Sequence, residues 1–220
     1  MVRFENLSKS FYIRGRRQQV IDNLTLTLPA GRSLALLGRN GAGKSTLLNI
    51  ISGVLQPDTG RVTVDGMMSW PIGLGGSFNP DMTGAQNSRF VARIYGLDSD
   101  SLVTFVEDFA ELGDHFHAPV RTYSSGMRAR LGFGISMGIK FDIYLIDETT
   151  AVGDARFSKK SRSVFLERIK TASAIMVSHQ MNTVRAFCDS GLVLHDGKIE
   201  FFDDLEAAIH RHTELNGAPD

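Results

Sequence analysis

The stretch GRNGAGKST, residues 38 to 46, constrains this chain more than any other. It matches the pattern G-x-x-x-x-G-K-[ST]. It follows a short apolar run, RSLALLG, and leads into a helical pattern with Leu47, Leu48, Ile50, Ile51 and Val54 on one side. A strand, a glycine-rich turn and a helix in that order are the context a phosphate loop requires. Gly38, Gly41 and Gly43 let the backbone curl so that N–H groups point inward, and Arg39, Asn40, Ala42 and Thr46 complete the cradle. Lys44 supplies a cation for the β and γ phosphates, and the Ser45 hydroxyl can ligate Mg²⁺.

The rest of the composition is that of an ordinary globular α/β chain. It has 220 residues, 42% hydrophobic and 22% charged, which suits one large domain with a smaller lobe. Lysine plus arginine and aspartate plus glutamate both total 24. A net charge of zero argues against nucleic acid as a partner, since such domains carry a basic excess. The single cysteine, Cys188, excludes an internal disulfide and fits a reducing compartment, with the thiol packed as a small hydrophobe. The opening MVRFENLSK has no apolar leader core, and the longest apolar candidate, FGISMGIKFDIYLI, is interrupted by Lys140 and Asp142. A soluble chain is expected, able to dock on a membrane protein.

Leu24, Leu26 and Leu28, and again Val62 and Val64, alternate with polar residues, which predicts half-buried antiparallel strands. IYLID (143–147) and SAIMVSH (173–179) are short apolar runs following helical stretches, so they predict a parallel sheet covered on both faces. GLVLHDGKIEFF predicts a hairpin turning at Asp196-Gly197. From about 84 to 140 only helical periodicity is visible, with stops at Gly96 and Gly113. The expected domain is therefore a core of residues 1–83 and 141–220 with a helical lobe, about 84–140, inserted into it.

Besides the strand that leads into the phosphate loop, two strand ends supply chemistry. Open α/β sheets bind ligands at the carboxyl ends of their strands. Asp147 and Glu148 end one apolar strand; Asp147 can hold Mg²⁺ and Glu148 can orient and polarise an attacking water. An acid pair facing solvent is the plain alternative. His179 ends the next strand, where a neutral imidazole can sense a γ-phosphate. A second phosphate-binding composition, TYSSGMRARLGFG (122–134), places Ser124, Ser125 and Gly126 at a helix start. A simple Ser/Gly helix cap is its plain alternative.

The order GRNGAGKST, YSSGMRAR, YLIDE, AVGD, VSH resembles the nucleotide-binding subunits of ABC transporters over essentially the whole chain. The resemblance implies an α/β phosphate-loop NTPase of ABC type, a mixed sheet core with an antiparallel β subdomain and an inserted helical lobe. It implies ATP and Mg²⁺ as cofactors, Glu148 and His179 as catalytic groups, and Ser45 and Asp147 as metal ligands. It also explains the second cradle. In that family the serine-glycine loop caps ATP held by a second subunit in a head-to-tail dimer, and Asp154 belongs to an inter-subunit loop. An aromatic near the first strand stacks on adenine; Phe11 fits, with Tyr12 as the second choice.

Three positions depart from the family pattern. The signature reads YSSGM rather than LSGGQ, so Ser125 replaces a glycine and Met127 a glutamine. Thr149 stands where proline is common. The family's glutamine between phosphate loop and signature is missing from SWPIGLGGSFNPDMTG (69–84), and Asn79 is the nearest substitute as a metal ligand. Together these segments look like ATPases exporting bacterial capsular polysaccharide, with O-antigen and teichoic acid exporters close by. That resemblance implies a homodimer on the cytoplasmic face of the inner membrane, bound to a permease dimer and the export machinery of the cell envelope. Phe78, Met82 and Phe90 would wall the groove for the permease, or else belong to the lobe core. Soluble ABC-type ATPases acting on ribosomes or DNA are the competing class.

Overall fold

The computed structural model describes residues 1–72, 78–147, 155–178 and 180–217. They form two compact units: Met1–Pro71 with Phe141–Glu148 and Thr171–Asp220, and Ile72–Lys140 with Thr149–Lys170.

The first unit holds two sheets. β1 (Val2–Ile13), β2 (Arg16–Leu28) and β4 (Thr59–Val64) pair antiparallel in the order β2-β1-β4. The second sheet runs β5-β6-β7-β3-β8-β9. Its strands are β3 (Ser33–Leu37), β5 (Met68–Ile72), β6 (Ile143–Asp147), β7 (Ser173–Val177), β8 (Ser190–His195) and β9 (Lys198–Phe202). β3 lies parallel to β7 and β8, and β6 parallel to β7. β9 returns antiparallel to β8 through Asp196 and Gly197, both at positive φ (46° and 78°), as a two-residue hairpin loop demands. β5 was not legible as a strand because of Pro71. As the edge of its sheet it can carry proline, whose missing N–H has a free side to fall on.

Every residue of β3 and β7 is buried, which is why they read as unbroken apolar runs. Leu34, Leu36, Leu145, Ile175, Leu192 and Leu194 face one core with Phe4, Leu7, Ile21 and Leu28 of the antiparallel sheet. Helix α1 (Lys44–Ile51) joins that core through Leu47, Leu48, Ile50 and Ile51. Alternate residues Ala35, Leu37 and Val193 face the other side. There they meet Val184 of α6 (Met181–Phe187) and Leu205 and Ala208 of α7 (Leu205–Asn216). Val54 does not extend the α1 stripe. Gly53, at φ 76°, ends the helix after Ser52, and Val54 is 76% exposed.

The second unit is helical: α2 (Gly84–Ile94), α3 (Ser99–Ala110), α4 (Ser125–Gly138) and α5 (Ala155–Ile169). Thr83 and Gln86 form a reciprocal capping box on α2, and Asp98 caps α3 through the Ser101 N–H. Phe109 gathers the core, its ring centroid 5.6 Å from Phe105, 6.1 Å from Phe133 and 5.5 Å from Phe157. Gly134 and Gly138 let α3 press onto α4, since a Cβ on Gly138 would collide with Leu102 and Phe105. α5 belongs with these helices, because Phe157 and Lys160 reach α3; Lys160 Nζ donates to the Phe109 carbonyl and to Glu111. The helical unit therefore extends beyond residues 84–140.

Candidate functional site

β3 ends at Leu37 and the chain turns through Gly38–Gly43 into α1. Gly41 (φ 79°) and Gly43 (φ 110°) lie in the left-handed region that favours glycine. Gly38 and Gly43 are also demanded by space: a Cβ on Gly38 would meet the Leu194 carbonyl at 2.7 Å, and one on Gly43 would strike Val20 Cγ1. Sequence reasoning missed Val20, whose only signal was its place in an alternating strand. Lys44 is 9% exposed, and its ammonium donates to the carbonyls of Gly38 (2.7 Å) and Arg39 (3.0 Å). Lys44 is thus held aimed into the hollow of its own loop. No side chain caps the start of α1, whereas α2, α3 and α7 are each closed by one. Open N–H groups at a helix start, with the positive end of the dipole, suit a phosphate.

Asp147 ends β6, paired in register with Val177 of β7, while Met176 of β7 pairs with Ala35 of β3. Asp147 therefore sits at the same carboxyl edge as the loop, two strands over, about 10 Å at ordinary strand spacing. Ser45 is exposed at the first turn of α1. A hydroxyl and a carboxylate are the hard oxygen donors Mg²⁺ takes when phosphates and water supply the rest, so the residues fit that ion. Glu148, Asp154 and His179 lie outside the described residues.

Phe11 is 37% exposed near the end of β1, with Lys9 Nζ 5.5 Å from its ring centroid; Tyr12 is 77% exposed. Cys188 packs against the core beside α6. Burial and the neighbouring Asp189 push its thiol up to about 12, leaving it unreactive near neutrality.

In the helical unit, Ser124 is the N-cap of α4: its hydroxyl oxygen accepts the Met127 N–H at 3.2 Å, leaving its own proton to donate elsewhere. Ser124 and Ser125 are exposed. Among the described residues a Cβ added to Gly126 would find nothing nearer than Ser124 Oγ at 3.9 Å. Packing against them therefore does not demand that glycine. The loop borders an open hollow of about 560 Å³ whose walls include Glu111, His115 and Arg130.

Asn79 is held by Asn87, a contact the sequence did not announce. The buried Asn87 accepts the Asn79 N–H at 2.9 Å and donates to its carbonyl at 3.1 Å, and also to those of Met82 and Thr83. The Asn79 side-chain oxygen accepts the Asp81 N–H at 3.0 Å. Phe78 and Met82 are half-buried, and Phe90 is 54% exposed.

A glycine-rich loop between β3 and α1, a buried lysine and an acid at the same sheet edge define a phosphate-loop nucleotide-binding fold. Comparison with known proteins carries this further. The ABC transporter family model matches residues 21–151. The polysialic acid transport ATP-binding protein KpsT of Escherichia coli is 46% identical over 215 residues, 96% of each chain. The capsule polysaccharide export ATP-binding protein CtrD of Neisseria meningitidis is 41% identical over 98% of this chain and 100% of its own. Among solved structures, an ATP-binding subunit of an ABC transporter superposes with TM-score 0.81 at 23% identity, covering 99% of this chain and 95% of that one. The dimeric post-hydrolysis state of the ATP-binding cassette MJ0796, bound to ADP and Pi, superposes with TM-score 0.75 at 20% identity, over 91% of this chain and 98% of that one. The chain belongs to the ABC transporter family. Among the described residues no helix is long and apolar enough to cross a membrane.

Proposed function

We propose that this chain binds and hydrolyses ATP to power export of a capsular polysaccharide across the bacterial inner membrane. The carrying observation is the phosphate loop, with Lys44 held on the Gly38 and Arg39 carbonyls above an uncapped helix start. The cargo follows the two relatives just described, whose similarity runs nearly the full length of both chains.

In this reading the loop amides and Lys44 hold the β and γ phosphates, and Phe11 stacks on adenine. Mg²⁺, when bound, neutralises phosphate charge; Ser45 and Asp147 would hold it, with Asn79 in the place of the family glutamine. Glu148 accepts a proton from the attacking water, and His179 donates a hydrogen bond to the γ-phosphate. Ser124, Ser125 and Gly126 offer donors to ATP held by a second copy of the chain, with Asp154 beside that contact. Loss of the γ-phosphate then weakens the dimer. The dimer works on the cytoplasmic face of the membrane against a permease dimer and the envelope export machinery, without nucleic acid.

Affinity capture of the tagged chain from mildly solubilised native membranes tests the transport assignment. A polytopic permease with a lipid-linked glycan is the expected catch, and its glycan separates capsule from O-antigen or teichoic acid. Soluble partners alone would overturn it. For the chemistry, Glu148→Gln should cut turnover by on the order of 10² to 10⁴ while sparing ATP binding. Unchanged hydrolysis removes Glu148 from the mechanism.

A further inference from the structure

β1 and β2 stay paired from Val2↔Leu28 out to Ile13↔Arg16, but β4 accompanies β1 only from Val2 to Ser8. Beyond Ser8 the sheet is a two-stranded ribbon. It closes through Arg14 and Gly15, both at positive φ (50° and 76°), as a tight two-residue turn requires. All residues from Phe11 to Gln18 are exposed. Among them Tyr12 is 77% and Ile13 54% exposed, on a ribbon end that no third strand among the described residues flanks.

The charge on this ribbon is one-sided although the chain is neutral overall. From Asn6 to Ile21 there is no carboxylate, while Lys9, Arg14, Arg16 and Arg17 are all cationic. Lys9 is neutralised by Asp58 at 2.8 Å. That leaves three arginines at the tip. Tyr12 pairs across the ribbon with Arg17, and Ile13 with Arg16. Successive strand residues point to opposite faces, so each face carries one apolar side chain opposite one arginine. A protein groove reads one face of a ribbon. A ribbon that is apolar and cationic on both faces, with a third arginine at its turn, suits a medium that surrounds it.

We propose that the β1–β2 ribbon tip inserts end-on into the headgroup layer of an anionic lipid membrane. Tyr12 and Ile13 enter the acyl boundary, while the long stems of Arg14, at the turn, and of Arg16 and Arg17 bend back to place their guanidinium groups among the lipid phosphates. The residues from Tyr12 to the turn span about 7 Å, within the depth such elements reach, and leave Phe11 outside the headgroup layer. The contact goes beyond the transport reading, because a vesicle contains no permease.

The test is sedimentation of the full chain with phosphatidylcholine vesicles, with and without phosphatidylglycerol. Wild type should pellet with the anionic vesicles and be released by about 0.5 M salt. R14Q/R16Q/R17Q should lose about a hundred-fold in partitioning, at roughly five-fold per arginine, and Ile13→Ser about three-fold. Thermal unfolding midpoints matching wild type show that both variants are folded. Wild type that ignores anionic vesicles, or a triple variant that still binds them as wild type does, overturns the proposal. So does a photo-crosslinker at position 12 that captures only protein in native membranes.

Discussion

Lys44 Nζ donates to the Gly38 carbonyl at 2.7 Å, so the loop's own backbone holds its cation in place. The lysine is preorganised, and its burial is offset by carbonyl partners instead of water. Lys44→Ala removes both the charge and the loop contacts. ATP affinity should fall by about ten- to a hundred-fold, as charge-assisted hydrogen bonds are worth about 1.5–3 kcal/mol. Equilibrium dialysis with labelled ATP measures this; affinity within two-fold of wild type, roughly 0.4 kcal/mol, would sink the assignment.

Gly126→Ala separates a role inside the chain from one between chains. Among the described residues the added methyl meets only Ser124 Oγ, at 3.9 Å. Stability of the monomer should stay within about 0.5 kcal/mol of wild type. ATP-dependent dimerisation and turnover should fall about ten-fold, because a partner's phosphate approaches the space the methyl takes. Light scattering with and without ATP reads the first, and phosphate release the second.

Asn87 makes four hydrogen bonds to the segment 79–83 with one buried amide. Asn87→Ala leaves those backbone groups without their partner and should cost about 1–3 kcal/mol in urea unfolding. Because the lost bonds fix Asn79, this variant should also lower transport more than it lowers ATPase activity in solution. Equal losses in both would mean that Asn87 only stabilises the lobe.

Acid should loosen the base of the β1–β2 ribbon. Hydrogen bonds from Lys9 and from the N–H and hydroxyl of Ser10 hold the Asp58 carboxyl down at about 2. A carboxylate depressed on folding stabilises the protein above its unfolded value of about 3.9, and that contribution disappears as pH falls towards 2. Asp58→Asn should lower the unfolding midpoint at pH 7, and its midpoint should decline less steeply than wild type between pH 4 and pH 2. Parallel curves for the two proteins would exclude Asp58 from the acid response.

Elements with a single dominant local signal were legible in the sequence. β3 and β7 announce themselves as apolar runs, the Asp196-Gly197 hairpin by its turn residues, and α2 by helical periodicity that stops at Gly96. The α/β fold of ABC type and the family were likewise visible in the order of the motifs. What stayed hidden depends on partners distant in sequence. Pro71 suits a strand only because that strand is an edge. α5 belongs to the helical unit because Phe157 and Lys160 find α3, some fifty residues earlier. Asn87 looks like any polar helix residue until the turn carrying Asn79 folds back onto it.

Gly43 sits against Val20, with no room for a methyl between them. Val20 lies two residues along β2 from Gln18, which pairs with Phe11. In the proposed reading Phe11 is the platform for the base, and Val20 would then space it from the loop as the body of a caliper spaces its jaws. Such a gauge would grip a nucleotide by its length as well as its charge. Trimming Val20 to alanine would slacken both jaws together, and the loop and the strand are therefore bound to change in step when the sequence drifts.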